Sequence, residues 1–368
     1  MRRAHRVMPS PLVEVVIATH RPDRPVERAV ASVLDGTTAT RALVVAHQLD
    51  PAALATRLAA FGSRAQVLPC PDRTASPAAP LNVGLAAATA PWVTCLGSDD
   101  YCEPGSGPAW AAYLARRPVD ALILPLWSAH TGRTDIPPVR PGRRRDLHVV
   151  RDRLFYRTSP AFLVRRALLA THGIAMTDGL ATGEDLAYSA HVFACAQRVD
   201  LAPPTFPRYR QTADGPAPVT ARRFSLPQLL APAIHLRQAA WVTELEVEVR
   251  AALAVRVVRK TLLPALAAAP AARATELAAA QAELAAWERW APRLGWALSR
   301  SEADLWAAAR QAREAAQVQV AARRWRAAAR WAAVVPTRPA GWWGRAAAWR
   351  YAWARRPGRG QRWAGDAR

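Results

Sequence analysis

Strand-like and helix-like patterns of hydrophobic residues alternate along residues 12–126. Short apolar runs, typical of buried strands, are separated by stretches whose apolar residues recur every three or four positions, as on one face of a helix. The predicted strands are 13–18, 41–47, 65–69, 91–97 and 119–126, and the predicted helices are 24–34, 51–61, 81–89 and 106–116. This alternation predicts an α/β fold with a doubly wound, mostly parallel sheet of the Rossmann-like kind.

The pattern changes beyond this region. Residues 127–150 are polar and rich in Pro and Arg, which predicts a loop, and mixed structure returns over 151–225. From residue 226 onward Ala, Leu, Arg and Trp dominate and strand patterns disappear. We therefore expect two domains, an α/β domain over 1–225 and an all-α C-terminal extension over 226–368. Its helices should break near Pro264, Pro270, Pro292 and 336–344.

Composition narrows the class of protein. A hydrophobic content of 51% excludes disorder of the whole chain. The apolar run near the N-terminus is short and contains Glu14, unlike a signal peptide, and no stretch approaches the roughly 20 apolar residues of a membrane-spanning helix. Four cysteines without paired spacing favour reduced thiols. We expect a cytoplasmic protein, at most peripheral at the inner face of the cell membrane.

The formal net charge is +22, and nearly all of the positive charge comes from arginine. Such a chain attracts polyanions, whether nucleic acid, anionic lipid or phosphate-bearing substrates. Residues 315–368 hold twelve arginines and one acid, interleaved with tryptophan. Three interpretations stay open for this segment: helices that bind an anionic membrane surface, a nucleic-acid surface, and a helical subdomain that packs its tryptophans on the α/β domain. Nucleic acid is the least favoured partner.

Two adjacent carboxylates, Asp99 and Asp100, follow the predicted strand 91–97 in the stretch WVTCLGSDDYCEPG. Asp is common in turns, which is one explanation. The other is a divalent cation, because Mg²⁺ and similar ions prefer oxygen ligands. Ligands of doubly wound sheets bind at the carboxyl ends of the strands, so the position favours the cation.

A second acidic pair, Glu184 and Asp185, lies in TGEDLAYSAHVFACAQ. Acids after Thr182-Gly183 are typical of the start of an amphipathic helix, where the helix dipole stabilises them. Alternatively, one of the two carboxylates acts as a general base in a cleft. Adjacent helical residues point about 100° apart, so only one of them can serve.

These segments, in this order and spacing, resemble glycosyltransferase family 2 over roughly residues 12–225. The family's first strand and helix are similar to VVIATHRPDRPVERAVASVL. The helix and strand that lead to its metal-binding DXD motif are similar to PLNVGLAAATAPWVTCLGSDD, and its catalytic motif is similar to GED. The resemblance implies a GT-A fold and an inverting, metal-dependent transferase. It would move a sugar from a nucleotide diphosphate sugar, most simply a UDP-sugar, to a hydroxyl acceptor. The acceptor would be lipid-linked or polymeric, as in cell-envelope synthesis.

The resemblance also implies roles for particular residues. Asp99 and Asp100 would hold Mn²⁺ or Mg²⁺. Asp185 would be the general base, and Glu184 would orient it or bind the acceptor. We expect the protein's positive charge to keep Asp185 ionised. The residues expected to bind the donor are Ala18, Thr19, His47, Asn82, Gly84, Ser98, Arg208 and Arg210.

The chain departs from the family pattern at two points. Gly97 replaces the first acid of the DXD motif, and His47 replaces the acid that contacts the nucleobase. The first departure leaves room for a catalytically degenerate GT-A scaffold that acts through protein contacts. A sugar nucleotidyltransferase is a further alternative, although the loop RPDRPVER lacks the glycines that such an enzyme needs after its first strand.

Overall fold

The computed structural model describes residues 10–74, 76–212, 224–268, 274–292 and 294–328. Its centre is a seven-stranded sheet in the order β10-β6-β9-β4-β1-β2-β3, in which only β9 runs antiparallel to its neighbours. The strands of this sheet are β1 Val13–Thr19, β2 Thr40–His47, β3 Ala65–Cys70, β4 Trp92–Gly97, β6 Ala121–Ile123, β9 Phe162–Arg165 and β10 Val199–Leu201. The prediction of a doubly wound, mostly parallel sheet is confirmed.

The central strands are apolar throughout because both faces of the sheet are covered. In β1, Val15 and Ile17 face one hydrophobic core, whereas Val16 between them faces the other. The helices of the α/β region are α1 Val26–Leu34, α2 Pro51–Arg57, α3 Ala78–Ala87, α4 Ser106–Arg116, α5 Arg166–His172 and α6 Asp185–Cys195. Helices α1 and α4 cover the face of Val15, and α3 and α6 cover the face of Val16.

A second, four-stranded sheet lies beside the first, in the order β5-β11-β7-β8. Its strands are β5 Tyr101–Cys102, β7 Leu126–Ser128, β8 Arg133–Asp135 and β11 Tyr209–Gln211. The sequence predicted one strand over 119–126 and a loop over 127–150, and both predictions are wrong in part. The apolar run divides between the two sheets, and β8 lies inside the predicted loop because short exposed strands carry little hydrophobic pattern.

The C-terminal extension is helical throughout its described part. Its helices are α7 Leu226–Gln238, α8 Ala240–Thr243, α9 Val247–Val257, α10 Leu263–Ala268, α11 Ala274–Trp290, α12 Leu294–Ala297, α13 Arg300–Gln311 and α14 Ala315–Ala328. A π-helical turn, Val258–Leu262, joins α9 to α10. The break predicted near Pro264 is therefore this widened turn, because proline cannot donate to the carbonyl four residues earlier. Pro270 lies outside the described residues.

The extension shares a hydrophobic core with the α/β region. One continuous cluster contains Val16 of β1, Leu186 of α6, Leu230 of α7 and Trp287 of α11. Apolar contact of this extent stabilises both regions, so they pack against each other and are not independent units. The boundary at 225 stays a prediction.

Only part of the arginine- and tryptophan-rich segment 315–368 lies within the described residues, namely α14. Val318 and Ala322 of α14 are buried in the shared core, and Arg326 donates a hydrogen bond to the carbonyl of Ala267. This portion packs on α10 and α13 of the extension itself, whereas the packing interpretation expected its tryptophans to pack on the α/β domain. The remaining residues, 329–368, lie outside the described part of the chain. No helix in the described part is long and apolar enough to span a bilayer.

Candidate functional site

A cavity of about 250 Å³ lies where the carboxyl ends of β1, β2 and β4 meet. Parallel strands end at one edge of a sheet, so segments far apart in sequence converge there. The residues that the sequence predicted for this site and that line the cavity are Ala18, Thr19, His47, Ser98 and Asp99. Wider clefts of about 700 and 740 Å³ lie elsewhere and contain neither acidic pair. The strand-end cavity is therefore the candidate donor site.

Two residues predicted to line this cavity lie outside its wall. Gly84 faces β1, where a Cβ atom would approach Val16 Cγ1 to 2.2 Å, so this glycine allows α3 to pack closely on the sheet. Asn82 accepts a hydrogen bond from the Met176 amide at 2.8 Å and donates to the Met176 carbonyl at 3.1 Å. Asn82 thus joins α3 to the loop that precedes α6.

Asp99 is ion-paired. Its carboxylate bonds Nη1 of Arg24, a buried residue in the loop between β1 and α1 that also lines the cavity. Arg28, one turn further on, donates to the Asp99 carbonyl. The Thr212 hydroxyl donates to the same carbonyl at 2.9 Å. Two guanidinium groups therefore surround the residue that the resemblance makes the metal ligand.

Asp100 points away from the cavity and connects the two sheets. Its Oδ2 accepts a hydrogen bond from the Tyr209 hydroxyl at 2.7 Å, and its Oδ1 accepts one from the Thr212 amide at 3.0 Å. The Tyr209 hydroxyl also accepts from the Gly97 amide at 3.0 Å. Burial raises the pKa of the Asp100 carboxyl to about 6, although these hydrogen bonds favour the ionised form.

The same arrangement explains the glycine at position 97. A Cβ atom there would lie 2.6 Å from Oδ2 of Asp100, well inside van der Waals contact. A carboxylate at this position, as in the family's DXD motif, would require Asp100 and its hydrogen bonds to move. The absence of an acid at position 97 thus leaves Asp100 free to connect the two sheets through its hydrogen bonds.

These carboxylates do not fit a divalent metal site as they are arranged. Within the described residues, no three His, Cys, Asp or Glu side chains are grouped as metal ligands. Asp99 is already neutralised by Arg24, and both oxygens of Asp100 accept protein hydrogen bonds. A cation at the single available carboxylate would lie close to the positive charge of Arg24. The assignment of Asp99 and Asp100 as metal ligands stays a prediction, and no chemical step below uses a metal.

Arg208 and Arg210 flank Tyr209 on β11, and the structure places them outside the cavity lining. Nε of Arg208 donates to Oε1 of Glu103 at 2.9 Å, and Nη1 of Arg210 donates to the same oxygen at 3.3 Å. The Arg210 guanidinium also lies 3.7 Å from the centre of the Trp127 ring. The residue of this segment that does line the cavity is Tyr209.

His47 closes the cavity at the end of β2, where the family has an acid. The ring is buried, and its Nε2 lies 3.4 Å from Oδ2 of Asp72. The pKa of Asp72 is lowered, chiefly by a hydrogen bond from the Thr74 hydroxyl. The chain therefore keeps a carboxylate near this position, although it comes from the segment after β3 rather than from β2.

Glu184 and Asp185 begin helix α6, as the sequence predicted. Burial raises the pKa of Asp185 to about 7, and the neighbouring Glu184 raises it further, whereas Arg256 acts in the opposite direction. Burial also raises the pKa of Glu184. The expectation that positive charge would keep Asp185 ionised is wrong in direction, because the cost of burying a carboxylate outweighs the attraction of the arginines.

The C-terminal extension forms part of the surroundings of this acidic pair. Gly183 has a φ of +75°, and a Cβ atom there would lie 2.8 Å from Cγ of Pro232 in α7. Arg256 of α9 is buried and close enough to Asp185 to affect its charge. The acid motif is therefore positioned from both regions of the chain.

Arg24, Tyr209 and Arg256 are site residues that the sequence did not single out. Arg24 had a detectable signal, since RPDRPVER directly follows a strand whose end binds ligand in such folds. Tyr209 lies between Arg208 and Arg210, and the resemblance pointed to those two arginines instead. Arg256 lies in a helix with little hydrophobic pattern, so only the packing of α9 reveals its position.

The fold is an α/β fold with a cavity at the carboxyl ends of its parallel strands. Residues 14–173 match the family model described as Glycosyl transferase family 2. The match ends before Glu184 and Asp185, whose roles therefore stay proposals. Comparison with curated proteins finds no sequence match.

Solved structures of S. aureus TarS share the fold. TarS 1–349 in complex with UDP-GlcNAc is 18% identical, with a TM-score of 0.69 over 86% of this chain and 91% of that chain. The complex of the same fragment with UDP has a TM-score of 0.64 at 18% identity and the same coverage. The longer TarS structure has a TM-score of 0.66 at 17% identity, over 84% of this chain and 55% of that chain. The likeness establishes the predicted GT-A fold with its helical extension.

Proposed function

We propose that this protein is an inverting glycosyltransferase that moves a sugar from a nucleotide diphosphate sugar to a hydroxyl group. The family match over 14–173 supports a nucleotide-sugar glycosyltransferase. The TarS complexes, which contain UDP-GlcNAc and UDP, support a UDP-sugar as the donor. The observation that carries the proposal is the cavity at the ends of β1, β2 and β4, and Asp185, the proposed base, is the first residue of α6.

In the proposed reaction, Asp185 accepts the proton of the acceptor hydroxyl. The acceptor oxygen forms a bond to the anomeric carbon while the bond from that carbon to the diphosphate oxygen breaks on the opposite face, which inverts the configuration. A general base is most effective when its pKa lies near the working pH, and the Asp185 pKa of about 7 meets this condition. Burial is the main cause of this raised pKa, and like-charge repulsion from Glu184 raises it further.

Donor binding is proposed for the residues that line the cavity. Ala18 and Thr19 at the end of β1 would contact the nucleoside, and His47 with Asp72 would form the end of the base pocket. The acceptor is proposed to be lipid-linked or polymeric, in cell-envelope polysaccharide or glycolipid synthesis. The net charge of +22 supports this part, because it favours contact with an anionic polymer or membrane.

The experiment is a donor panel assayed with two matched variants. Wild-type protein is incubated with UDP-, GDP- and dTDP-sugars, and nucleotide release and product configuration are measured by NMR. Asp185→Asn keeps the shape of the side chain and should lower turnover by about 10²–10⁴-fold, as for a lost general base. Nucleotide affinity should remain at the wild-type level.

Glu184→Gln is the matched control and should lose less turnover than Asp185→Asn. A larger loss in Glu184→Gln would reverse the two assignments. Wild-type turnover in both variants would refute this catalytic site. Nucleotide binding by the wild type without any turnover would instead support the scaffold alternative.

A further inference from the structure

Arg24 is a buried cation at the point where the resemblance puts a metal ion. The residue is 7% exposed, lines the donor cavity and bonds the Asp99 carboxylate through Nη1. Its position is fixed locally, because the Arg24 carbonyl accepts hydrogen bonds from the amide of Val26 at 2.8 Å and from Nη2 of Arg57 at 3.1 Å. The loop between β1 and α1 therefore holds this guanidinium against the end of β4.

We propose that Arg24 neutralises the diphosphate of the donor in place of a divalent metal ion, so that this protein binds and uses its nucleotide sugar without metal. The inference rests on the proposed function. Asp99 then serves as the counterion that holds Arg24 in the cavity wall before the donor arrives, rather than as a metal ligand.

The chemistry of a diphosphate suits this guanidinium. Arginine and Mg²⁺ are alternative means of stabilising charge on phosphate oxygens, and the planar guanidinium can offer two parallel N–H donors to one phosphate. Arg24 also has donor capacity that Asp99 leaves unused, since its buried Nε has no hydrogen-bond partner among the described residues. After a small movement of the side chain, its N–H groups would donate hydrogen bonds to the diphosphate oxygens.

Charge supports the same assignment. Arg24 and Arg28 bring two positive charges to the end of β4, where Asp99 and Asp100 bring two carboxylates; of these four side chains, Arg24 and Asp99 line the cavity. Arg24 therefore puts a cation in the cavity wall, where a departing diphosphate requires one because its negative charge grows as the bond to the anomeric carbon breaks. A divalent ion added to this cluster would instead meet the Arg24 guanidinium at close range.

The backbone gives a separate reason. The family's DXD motif has an acid at position 97, and a Cβ atom there would lie 2.6 Å from Asp100 Oδ2. Asp100 is held by Tyr209 and Thr212, so it cannot easily move aside. The site therefore differs from the family's DXD motif in two linked ways. Position 97 has no acid, and Asp99 is paired with Arg24.

The test is calorimetric titration of the full chain with UDP, GDP and dTDP, once in EDTA and once in Mn²⁺. We expect the preferred nucleotide to bind with the same affinity in both buffers. Arg24→Met should weaken that binding by about 10–100-fold in EDTA, as for a lost charge-assisted hydrogen bond. Arg24→Lys keeps the charge without the planar donors and should lose less.

Arg21→Met is the matched control. Arg21 lies in the same loop, but it is exposed and paired with Asp23 at 2.8 Å, so its replacement should leave nucleotide affinity unchanged. Circular dichroism checks that each variant is folded; if Arg24→Met unfolds, the metal response of the wild type and the affinity of Arg24→Lys decide the question.

Wild-type binding that appears only with Mn²⁺ would overturn the inference and leave the proposed function intact. Wild-type affinity in Arg24→Met would overturn it as well. Failure of all three nucleotides to bind in either buffer would refute the proposed function itself, and the inference with it.

Discussion

Replacing Asp185 with Asn should make the folded protein more stable at neutral and alkaline pH. Burial raises the pKa of this carboxyl from 3.8 to about 7 in the folded state. The folded protein therefore binds the proton more tightly than the unfolded chain does. By linkage, stability is highest below the unfolded pKa and decreases as the pH rises towards the folded pKa.

The size of the effect follows from that difference. About three pH units at about 1.4 kcal/mol each set an upper limit of about 4 kcal/mol above pH 7. Part of this cost persists in the variant, because Glu184 is also partly buried and its pKa is raised as well. We expect Asp185→Asn to gain about 2–4 kcal/mol at about pH 8, and much less at about pH 4, where the Asp185 carboxyl of the folded wild type is protonated and as neutral as the amide of the variant.

The assay is urea unfolding of wild type and Asp185→Asn at these two pH values, followed by circular dichroism. Asp178→Asn serves as the control, because Asp178 is an exposed carboxylate in the preceding loop and should show no such pH-dependent gain. If Asp185→Asn proves no more stable than wild type at the higher pH, Asp185 is not desolvated, and the argument for a base with a raised pKa fails.

Further predictions concern packing and the tail. Gly84→Ala should destabilise the protein by about 1–3 kcal/mol in thermal unfolding, because its Cβ would overlap Val16, and Val16→Ala should restore part of the loss. Glu14→Gln should cost about 3–5 kcal/mol in the same assay, since the buried Glu14 carboxylate accepts hydrogen bonds from Arg41 and two backbone amides; an unchanged melting temperature would contradict this. A truncation after Ala328, which keeps the packed helix α14, should lose sedimentation with anionic liposomes but keep nucleotide binding. Liposome binding that survives it would refute a membrane role for residues 329–368.

The sequence allowed the parallel sheet to be predicted because buried strands leave continuous apolar runs, and the family resemblance then pointed to Ala18, Thr19, His47 and Asp99, which line the cavity. It could not predict contacts that depend on tertiary packing. Arg24 and Asp99 are 75 residues apart, and their ion pair leaves no local pattern.

Two other features of the site were hidden for the same reason. A glycine in a helix can line a pocket, or it can allow another element to pack closely on the helix. Only the position of β1 shows that Gly84 allows close packing. The pKa of Asp185 depends on burial at the junction with the extension, so net charge was a poor guide to it.

The contact between Gly183 and Pro232 has a consequence for how this protein can diverge. Any side chain at position 183 would overlap the proline ring and would also be strained by the φ of +75°, so we expect this position to remain glycine among descendants of this chain. Position 232 is constrained only by the space beside Gly183, so it can change to a residue of similar or smaller size. A chimaera joined near residue 225 that brings a larger residue to position 232 would disturb the turn before Asp185.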